Sequence, residues 1–350
     1  MSRKKKHKNN PENNHSPKDI PAAFLDRLSK IIGREDDKAT DDSAARKSGI
    51  NCEEPIWQTI RETFFQPKDS SFRINALHGV RSFSEIGQAV QSLGFPTQAI
   101  DWCPGAYWVD SSNRDALIDS SLFEESLIYI QNPSSMFASL VLNPKPEESV
   151  LDLAAAPGGK TLHLTSLMDN AGLVSAVEVV RGRFFKLQAN LKRYGARIVK
   201  TYLTDGRTVG RKTPARFDKV LLDAPCSGEA RIHHSDPASW QYWKPRKIKE
   251  QARKQFGLIR SAFEALKPGG TMVYCTCSFA PEENEAVVSD FVKQFESAEI
   301  QSVLPAFPNH QTGVTQFEEK NYHPAVSKTI RILPTRLMDG FFIAKIRKAE

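Results

Sequence analysis

No apolar run in this sequence approaches the roughly 20 residues that a helix needs to cross a bilayer, so no membrane partner is expected. The N-terminus, MSRKKKHKNN, has no apolar segment of the signal-peptide kind, which predicts a cytoplasmic protein. Cysteine is scarce: there are five, Cys52, Cys103, Cys226, Cys275 and Cys277. An odd count at that density argues against a disulfide framework. The Cys275-Thr-Cys277 group is not a CxxC pair, and no His/Cys cluster has metal-ligand spacing, so no metal is expected. What remains open is a thiol with a chemical task.

The composition is globular, with 40% hydrophobic and 25% charged residues in a chain of 350, enough for two or three domains. The net charge of +7 suggests a polyanion such as RNA as partner, although a basic tail on an ordinary enzyme produces the same surplus. Residues 1–19 are almost free of apolar side chains and read as a disordered basic tail. Residues 20–52 read as a short helix (20–32) followed by a polar linker (33–51).

A small α/β domain is expected over 53–130. SFRINAL alternates like a strand, Ser82 and Glu85 have capping-box spacing, and Ile86, Ala89, Val90 and Leu93 recur at helical intervals before Gly94. AIDWCPGAYWV reads as a turn between two strands. From about 148 strands and helices alternate. The strands are SVLDLAA, LVSAVEVV, IVKTYLT, KVLLDA, TMVYCT and a closing FFIAKI. The helices are Thr161–Met168, one faced by Phe184, Leu187, Leu191 and Tyr194, and one faced by Ile248, Ile259, Phe263 and Leu266. This order predicts an α/β fold with a mainly parallel, doubly wound, Rossmann-like sheet over 131–350, whose ligands bind beyond the carboxyl ends of the strands.

Four motifs fall at those ends. LDLAAAPGGKT (151–161) turns from strand to helix on small residues, which admit a ligand close to the backbone, and a helix N-terminus favours a carboxylate. It matches neither the dinucleotide nor the phosphate-loop signature, and any tight strand–helix turn has similar residues. Glu178 and Asp205 follow the next two strands, where a carboxylate can accept both hydroxyls of a ribose. DAPCSGEA brings Asp223 and Cys226, and YCTCSFAPEENE brings Cys277, to two neighbouring strand exits. A lone cysteine is more often inert core; two beside an acid favour chemistry.

With these residues the chain resembles the Nop/Sun family of RNA cytosine-5 methyltransferases, over about 60–348. FRINAL, YIQNPSSM, LDLAAAPGGKT, DAPCSGE, ALKPGGTMVYCTCSFAPEENEAVV and RILPTRLMDGFFIAKI carry the resemblance. It implies a class I methyltransferase sheet with a small RRM-like N-terminal RNA-binding domain, a monomer, and S-adenosylmethionine as cofactor. It implies that Ala154, Ala155, Ala156, Pro157, Gly158, Gly159 and Lys160 form the cofactor loop. Glu178 would hold the ribose with Arg183 nearby, and Asp205 would lie by the adenine. Cys277 would be the nucleophile, Cys226 would assist product release, and Asp223 and Lys160 would contact the base, with Asp223 also at the cofactor. The substrate class is RNA, ribosomal sooner than transfer RNA. Three positions depart from the family pattern: Ala154 for Cys, Ala230 for Gly, and Cys275 for Ser. In an extended strand, Cys275 and Cys277 would face the same side.

Two alternatives keep the fold. One is a base amino-group methyltransferase, since Asp-Ala-Pro-Cys loosely resembles the Asp-Pro-Pro-Tyr loop of those enzymes. The other is a non-catalytic RNA-binding assembly factor. For RNA contacts, the candidates are the basic segment 244–255 with Lys249 and Arg253 on one face, the aromatics Trp240, Tyr242 and Trp243 before it, and Arg73 and Arg81 in the first domain. Such a charge run is as readily a solvated helix face, and such aromatics as readily core. His233 and His234 read as loop residues without a role.

Overall fold

The computed structural model describes residues 19–32, 56–79 and 81–350. The tail expected over 1–19 (Asp19 excepted), the linker over 33–51 and Cys52 lie outside the described residues. The first helix, α1 (Ala22–Ile32), is amphipathic: Phe24, Leu28, Ile31 and Ile32 form one buried stripe. Phe24 meets Phe64 and Trp243 edge-on at 5.5 and 5.6 Å, so α1 packs on the large core rather than extending from it. Helix α2 (Ile56–Glu62) follows.

The small unit is a four-stranded antiparallel sheet. Its elements are β1 (Ser70–Ile74), α3 (Phe83–Gln91), β2 (Gln98–Ala99), β3 (Ala106–Val109), α4 (Arg114–Ile118), α5 (Ser121–Glu124) and β4 (Ile128–Ile130). The strand order β2-β3-β1-β4, with helices after β1 and β3, is the RRM-like arrangement. Helix α3 starts where the capping box requires: Ser82 Oγ accepts from Glu85 N, and the Glu85 carboxylate accepts from Ser82 N. It drops Ile86 and Val90 onto Phe72, Ile74, Val109, Leu122 and Ile128. Strand β1 stops at Ile74, short of the expected Leu77, because the Asn75 amide turns to donate to Ser126 O and Tyr194 O.

The large unit opens with α6 (Pro133–Leu142) and then alternates: β5 (Ser149–Asp152), α7 (Gly159–Leu167), β6 (Leu173–Glu178), α8 (Arg181–Arg193), β7 (Val199–Leu203), α9 (Val209–Lys212), β8 (Phe217–Asp223), α10 (Pro245–Ala265), β9 (Leu266–Thr276) and α11 (Glu285–Gln294). The chain then turns to short strands, β10 (Ala298–Gln301), β11 (His310–Thr312), β12 (Gln316–Phe317), β13 (Lys320–Asn321) and β14 (Ile330–Ile332), before the long β15 (Phe341–Lys348). The main sheet runs β11-β14-β15-β9-β8-β5-β6-β7. From β9 to β7 it is parallel; β15, β14, β11 and β10 are antiparallel additions. The doubly wound Rossmann-like expectation therefore holds for five strands, and the sheet as a whole is mixed. Strand order reverses between β5 and β8, which places the topological switch point, and hence a cleft, beyond their carboxyl ends.

Several expected boundaries move. Leu266, read as a core residue of the preceding helix, opens β9 instead. β6 ends at Glu178, leaving Val179 and Val180 exposed at its exit. α7 begins two residues earlier than Thr161, because Gly158 at φ +110° makes the turn that lets Gly159 start the helix. No helix among the described residues is long and apolar enough to cross a membrane.

Candidate active site

The cleft predicted by the topology is there. It encloses about 510 Å³, within the range that takes a nucleotide-sized ligand, and a hollow of about 190 Å³ opens beside it. Its floor is the turn after β5, with Ala154, Ala156, Pro157 and Lys160; Asp223, Cys226, Arg231 and Cys277 form one wall, and Asn132, Asp339 and Phe341 the other. Ala155 and Gly159 line the hollow, together with Asp152 and Tyr129.

The turn is fixed from two sides. Ala155 N donates to Val177 O at 2.9 Å, and Asn190 Nδ2 of α8 donates to Pro157 O at 2.8 Å. A Cβ on Gly158 would press on Leu187 Cδ1 at 3.0 Å, and its φ of +110° strains any side-chain-bearing residue. Arg183 Nη2 donates to Ala156 O at 2.6 Å, while its Nη1 lies 3.4 Å from Glu178 Oε2. Glu178 is buried; its Oε1 accepts from Val180 N, and Oε2 has no hydrogen-bond partner among the described residues. Asp205 caps the turn after β7 and pairs with Arg207 at 2.6 Å, which holds its carboxyl below the usual range. Glu178, Asp205 and Gly158 thus stand at the strand ends and the helix start without lining the cleft wall.

At the exit of β8, Lys160 Nζ donates to Asp223 Oδ2 at 2.8 Å and lies over the Phe341 ring at 5.2 Å. Burial works against the Lys160 charge, but Asp223, with Cys275 and Cys277, outweighs it and raises its pKa. Behind them Asp152 accepts from Thr161 Oγ1 at 2.7 Å and leaves Oδ1 without a partner among the described residues. Burial pushes the Asp152 carboxyl up to about 7.

The two cysteines read as a pair do meet: Cys226 Sγ and Cys277 Sγ are 3.2 Å apart, both half-buried at the cleft wall. The parallel pairing of β8 with β9, in register Asp223↔Cys275, carries the two exits together despite 51 residues of chain. The Cys226 thiol, as donor, holds Cys277 below a thiol's usual range, with the Arg231 and Lys160 charges assisting against burial and Asp223. The same contact, with burial, pushes Cys226 well up. Of the two, Cys277 is therefore the one that ionises more readily.

Cys275 lies on the cleft side of β9, 3.8 Å from Asp223 Oδ1, but it is fully buried beneath the cleft, and burial pushes its thiol well above the usual range. Arg231 was not singled out from the sequence, where nothing distinguishes it from other loop cations. It is the one cation lining the cleft, among the described residues, with neither a hydrogen bond nor an ion pair: Lys160 is held by Asp223, and Arg183 by Glu178 and Ala156 O.

Among the RNA candidates Arg73 is corrected, and for two of the aromatics the core alternative holds. Arg73 is 4% exposed, donates to Gln131 Oε1 at 3.0 Å and stacks on Tyr129 at 5.4 Å, because β1 points it into the seam between the two sheets. Trp240 is core, and Trp243 Nε1 is spent on Glu229 at 3.0 Å. Arg81 is surface-exposed but pairs with Glu125. Lys249, Arg253 and Tyr242 are exposed. His233 spans Ser235 Oγ and Gln66 O, consistent with a loop residue.

Comparison with known proteins identifies relatives of the chain. The model of the family described as 16S rRNA methyltransferase RsmB/F matches residues 139–347. The chain is 34% identical over 334 residues, 94% of its length, to the ribosomal RNA small subunit methyltransferase F of Vibrio campbellii. It is 36% identical over 290 residues, 81% of its length, to the enzyme of that name from Escherichia coli O6:H1. It spans 63% and 58% of those relatives. A methyltransferase homolog protein from Pyrococcus horikoshii superposes with a TM-score of 0.71 at 30% identity, covering 94% of this chain and all of that one. An NSun6 protein from the same organism, at 21% identity, covers 95% of this chain and 99% of its own, and shares the fold with a TM-score of 0.72.

Proposed function

The chain belongs to the 16S rRNA methyltransferase RsmB/F family, and from that premise we propose that it transfers a methyl group from S-adenosylmethionine to carbon 5 of a cytosine in ribosomal RNA, in the cytoplasm and as a monomer. The observation that carries this reading is the 3.2 Å contact of Cys226 and Cys277 beside Asp223 and Lys160, in the cleft floored by residues 154–160. An amino-group methyltransferase has no use for two adjacent thiols.

The residues fit the cofactor. Glu178 Oε2, buried, beside Arg183 and without a hydrogen-bond partner among the described residues, suits a ribose hydroxyl, and the N-terminus of α7 suits a carboxylate. Arg183 ties the ribose acid to the loop, and Asp205 is assigned to the adenine side. When bound, S-adenosylmethionine supplies an electrophilic methyl on a sulfonium sulfur. Cys277, as thiolate, adds to carbon 6 of the cytosine, and the ring electron pair moves to carbon 5, which otherwise is too weak a nucleophile. Asp223 and Lys160 hold the amidine edge of the ring and stabilise the adduct. Once Cys277 is bonded to carbon its negative charge is gone, so Cys226, with Arg231 and Lys160 nearby, can release its own proton to solvent and, after carbon 5 has gained the methyl, take the carbon-5 proton. Its loss restores the ring and expels Cys277 as thiolate. The base must leave its stack to reach this pocket, at a cost of a few kcal/mol. The basic outer face of α10 (Lys249, Arg253) and the small RRM-like unit are assigned to RNA binding.

The test is methylation of 16S rRNA by wild-type, Cys277→Ala and Cys226→Ala proteins. Cys277→Ala abolishes transfer, and Cys226→Ala retains a covalent protein–RNA adduct after denaturation. Full activity of Cys277→Ala, or a product methyl on the exocyclic nitrogen, overturns the reading.

A further inference from the structure

The two cysteine loops are joined from behind by two buried carboxylates that the mechanism above does not use: Glu229, which accepts from Phe279 N at 3.1 Å and lies 3.2 Å from Ser278 Oγ, and Glu283, which takes donors from both loops. Cys226 is followed by Ser227 and Cys277 by Ser278. Both hydroxyls donate to Glu283 Oε2, Ser278 at 2.6 Å, and the two hydroxyl oxygens are 3.0 Å apart. Oε1 accepts from Ser227 N at 2.8 Å and from Gln255 Nε2 at 3.1 Å. The same Gln255 amide donates to Pro225 O at 2.9 Å, on the other side of Cys226. Glu283 is fully buried, and Tyr274 on β9 donates its hydroxyl to the Glu283 carbonyl, which anchors the residue to the strand that delivers Cys277.

A buried carboxylate is costly unless its lone pairs are occupied. Here each oxygen takes two donors, three of them from the residues that directly follow the cysteines. Glu283 does not line the cleft, so the carboxylate touches neither of the proposed ligands. Its leverage is geometric: fixing Ser227 and Ser278 on one group fixes the separation of the residues before them. Burial pushes the carboxyl up to about 7, against the pull of the serine donors.

We infer that Glu283 is a positioning residue for the cysteine pair, holding Cys226 within hydrogen-bonding reach of Cys277 so that Cys277 keeps a donor at its sulfur. This rests on the reading of Cys277 as nucleophile. Glu283→Gln keeps the shape but presents one acceptor oxygen in place of two, so it cannot satisfy all four donors. Two measurements on the full chain test it. With S-adenosylmethionine and 16S rRNA transcribed in vitro, kcat is expected to fall about tenfold or more while KM for the RNA stays within about twofold, because orientation and not binding is lost. Without RNA or donor, the pH profile of Cys277 alkylation by iodoacetamide, read by peptide mass spectrometry, is expected to move to higher pH. If the alkylation profile moves but wild-type protein methylates no RNA, the proposed function fails and the role of Glu283 stands. A folded Glu283→Gln protein with wild-type kcat and an unmoved alkylation profile overturns the inference. Should Glu283→Gln not fold, the Ser227→Ala/Ser278→Ala double variant takes its place: it removes the two hydroxyl donors and is expected to lower kcat likewise, and an unchanged kcat there overturns the inference.

Discussion

Arg231 and Cys277 illustrate how a side chain's chemistry is set by what stands beside it. An ionised thiol is favoured by an opposite charge and disfavoured by burial. At Cys277 the Cys226 donor, Arg231 and Lys160 prevail over burial and Asp223. The sign for activity follows. Thiolate is the reactive form, so the rate of Cys277 alkylation rises with pH through a value below the usual thiol range and then levels off. Arg231→Gln removes one of the cations, moves the inflection to higher pH and slows alkylation at neutral pH by up to about tenfold, the equivalent of one pKa unit. An unchanged profile in Arg231→Gln assigns the depression to the Cys226 contact and Lys160 alone. Cys275 is the internal control. Its thiol is sealed and held protonated by burial, so it stays unlabelled while Cys277 reacts.

At the scale of elements, the cofactor turn between β5 and α7 depends on one backbone conformation. Gly158 at φ +110° lies where a side chain strains the backbone, and its missing Cβ leaves room for Leu187 of α8. Gly158→Ala is expected to destabilise the protein by about 1–3 kcal/mol and to shift the loop that Arg183 and Asn190 hold. Urea unfolding measures the first effect and cofactor titration by calorimetry the second; stability and affinity both equal to wild type refute it. Helix α3 gives a milder case. Ser82→Ala removes the capping box and is expected to cost about 1 kcal/mol, confined to the small unit. Hydrogen exchange would show faster opening in 83–91 and no change in α7.

For the whole molecule, the seam between the two sheets is itself structured. Arg73 on β1 reaches Gln131 and, at 3.4 Å, Gly159 O of the cofactor turn, while Asp69 and Asp110 pair with Arg336, and Lys68 with Asp339. Arg73→Ala is expected to cost about 1.5–3 kcal/mol through the lost charged hydrogen bonds. It should also raise KM for the cofactor, because it releases Gly159. A kinetic change confined to RNA would instead mean that Arg73 contacts the substrate. The pH dependence of stability belongs at this scale too. Burial raises both Asp152 and Glu283 to about 7, above a carboxyl's usual value near 4. Such acids bind protons more tightly folded than unfolded, so their contribution is full below the unfolded value and is lost as pH rises through the folded one. The melting temperature is therefore expected to carry a downward component between about pH 4.5 and 7, and Asp152→Asn should flatten it. A slope identical in wild type and Asp152→Asn refutes the assignment.

Local chemistry is enough to place most of the candidate site. The periodicity of Ile86 and Val90, the capping residues Ser82 and Glu85, and the small-residue turn at 154–159 announce their elements because each depends on neighbours within one helical turn or one strand repeat. Asp223, Cys226 and Cys277 were legible because a parallel sheet gathers strand exits on one edge. What sequence could not supply was the direction of side chains across the seam and the order of the added strands. Arg73 reads as a candidate RNA contact and is buried, Trp240 reads as readily as a stacking platform as core and is core, and β15 inserts antiparallel beside β9. Glu283 and Arg231 gain their importance from groups that the fold brings to them across tens of residues, Ser227 and Gln255 for one and Cys277 for the other. Those outcomes depend on which surfaces are removed from water together and which donors are left to satisfy, and only the closed tertiary structure fixes that.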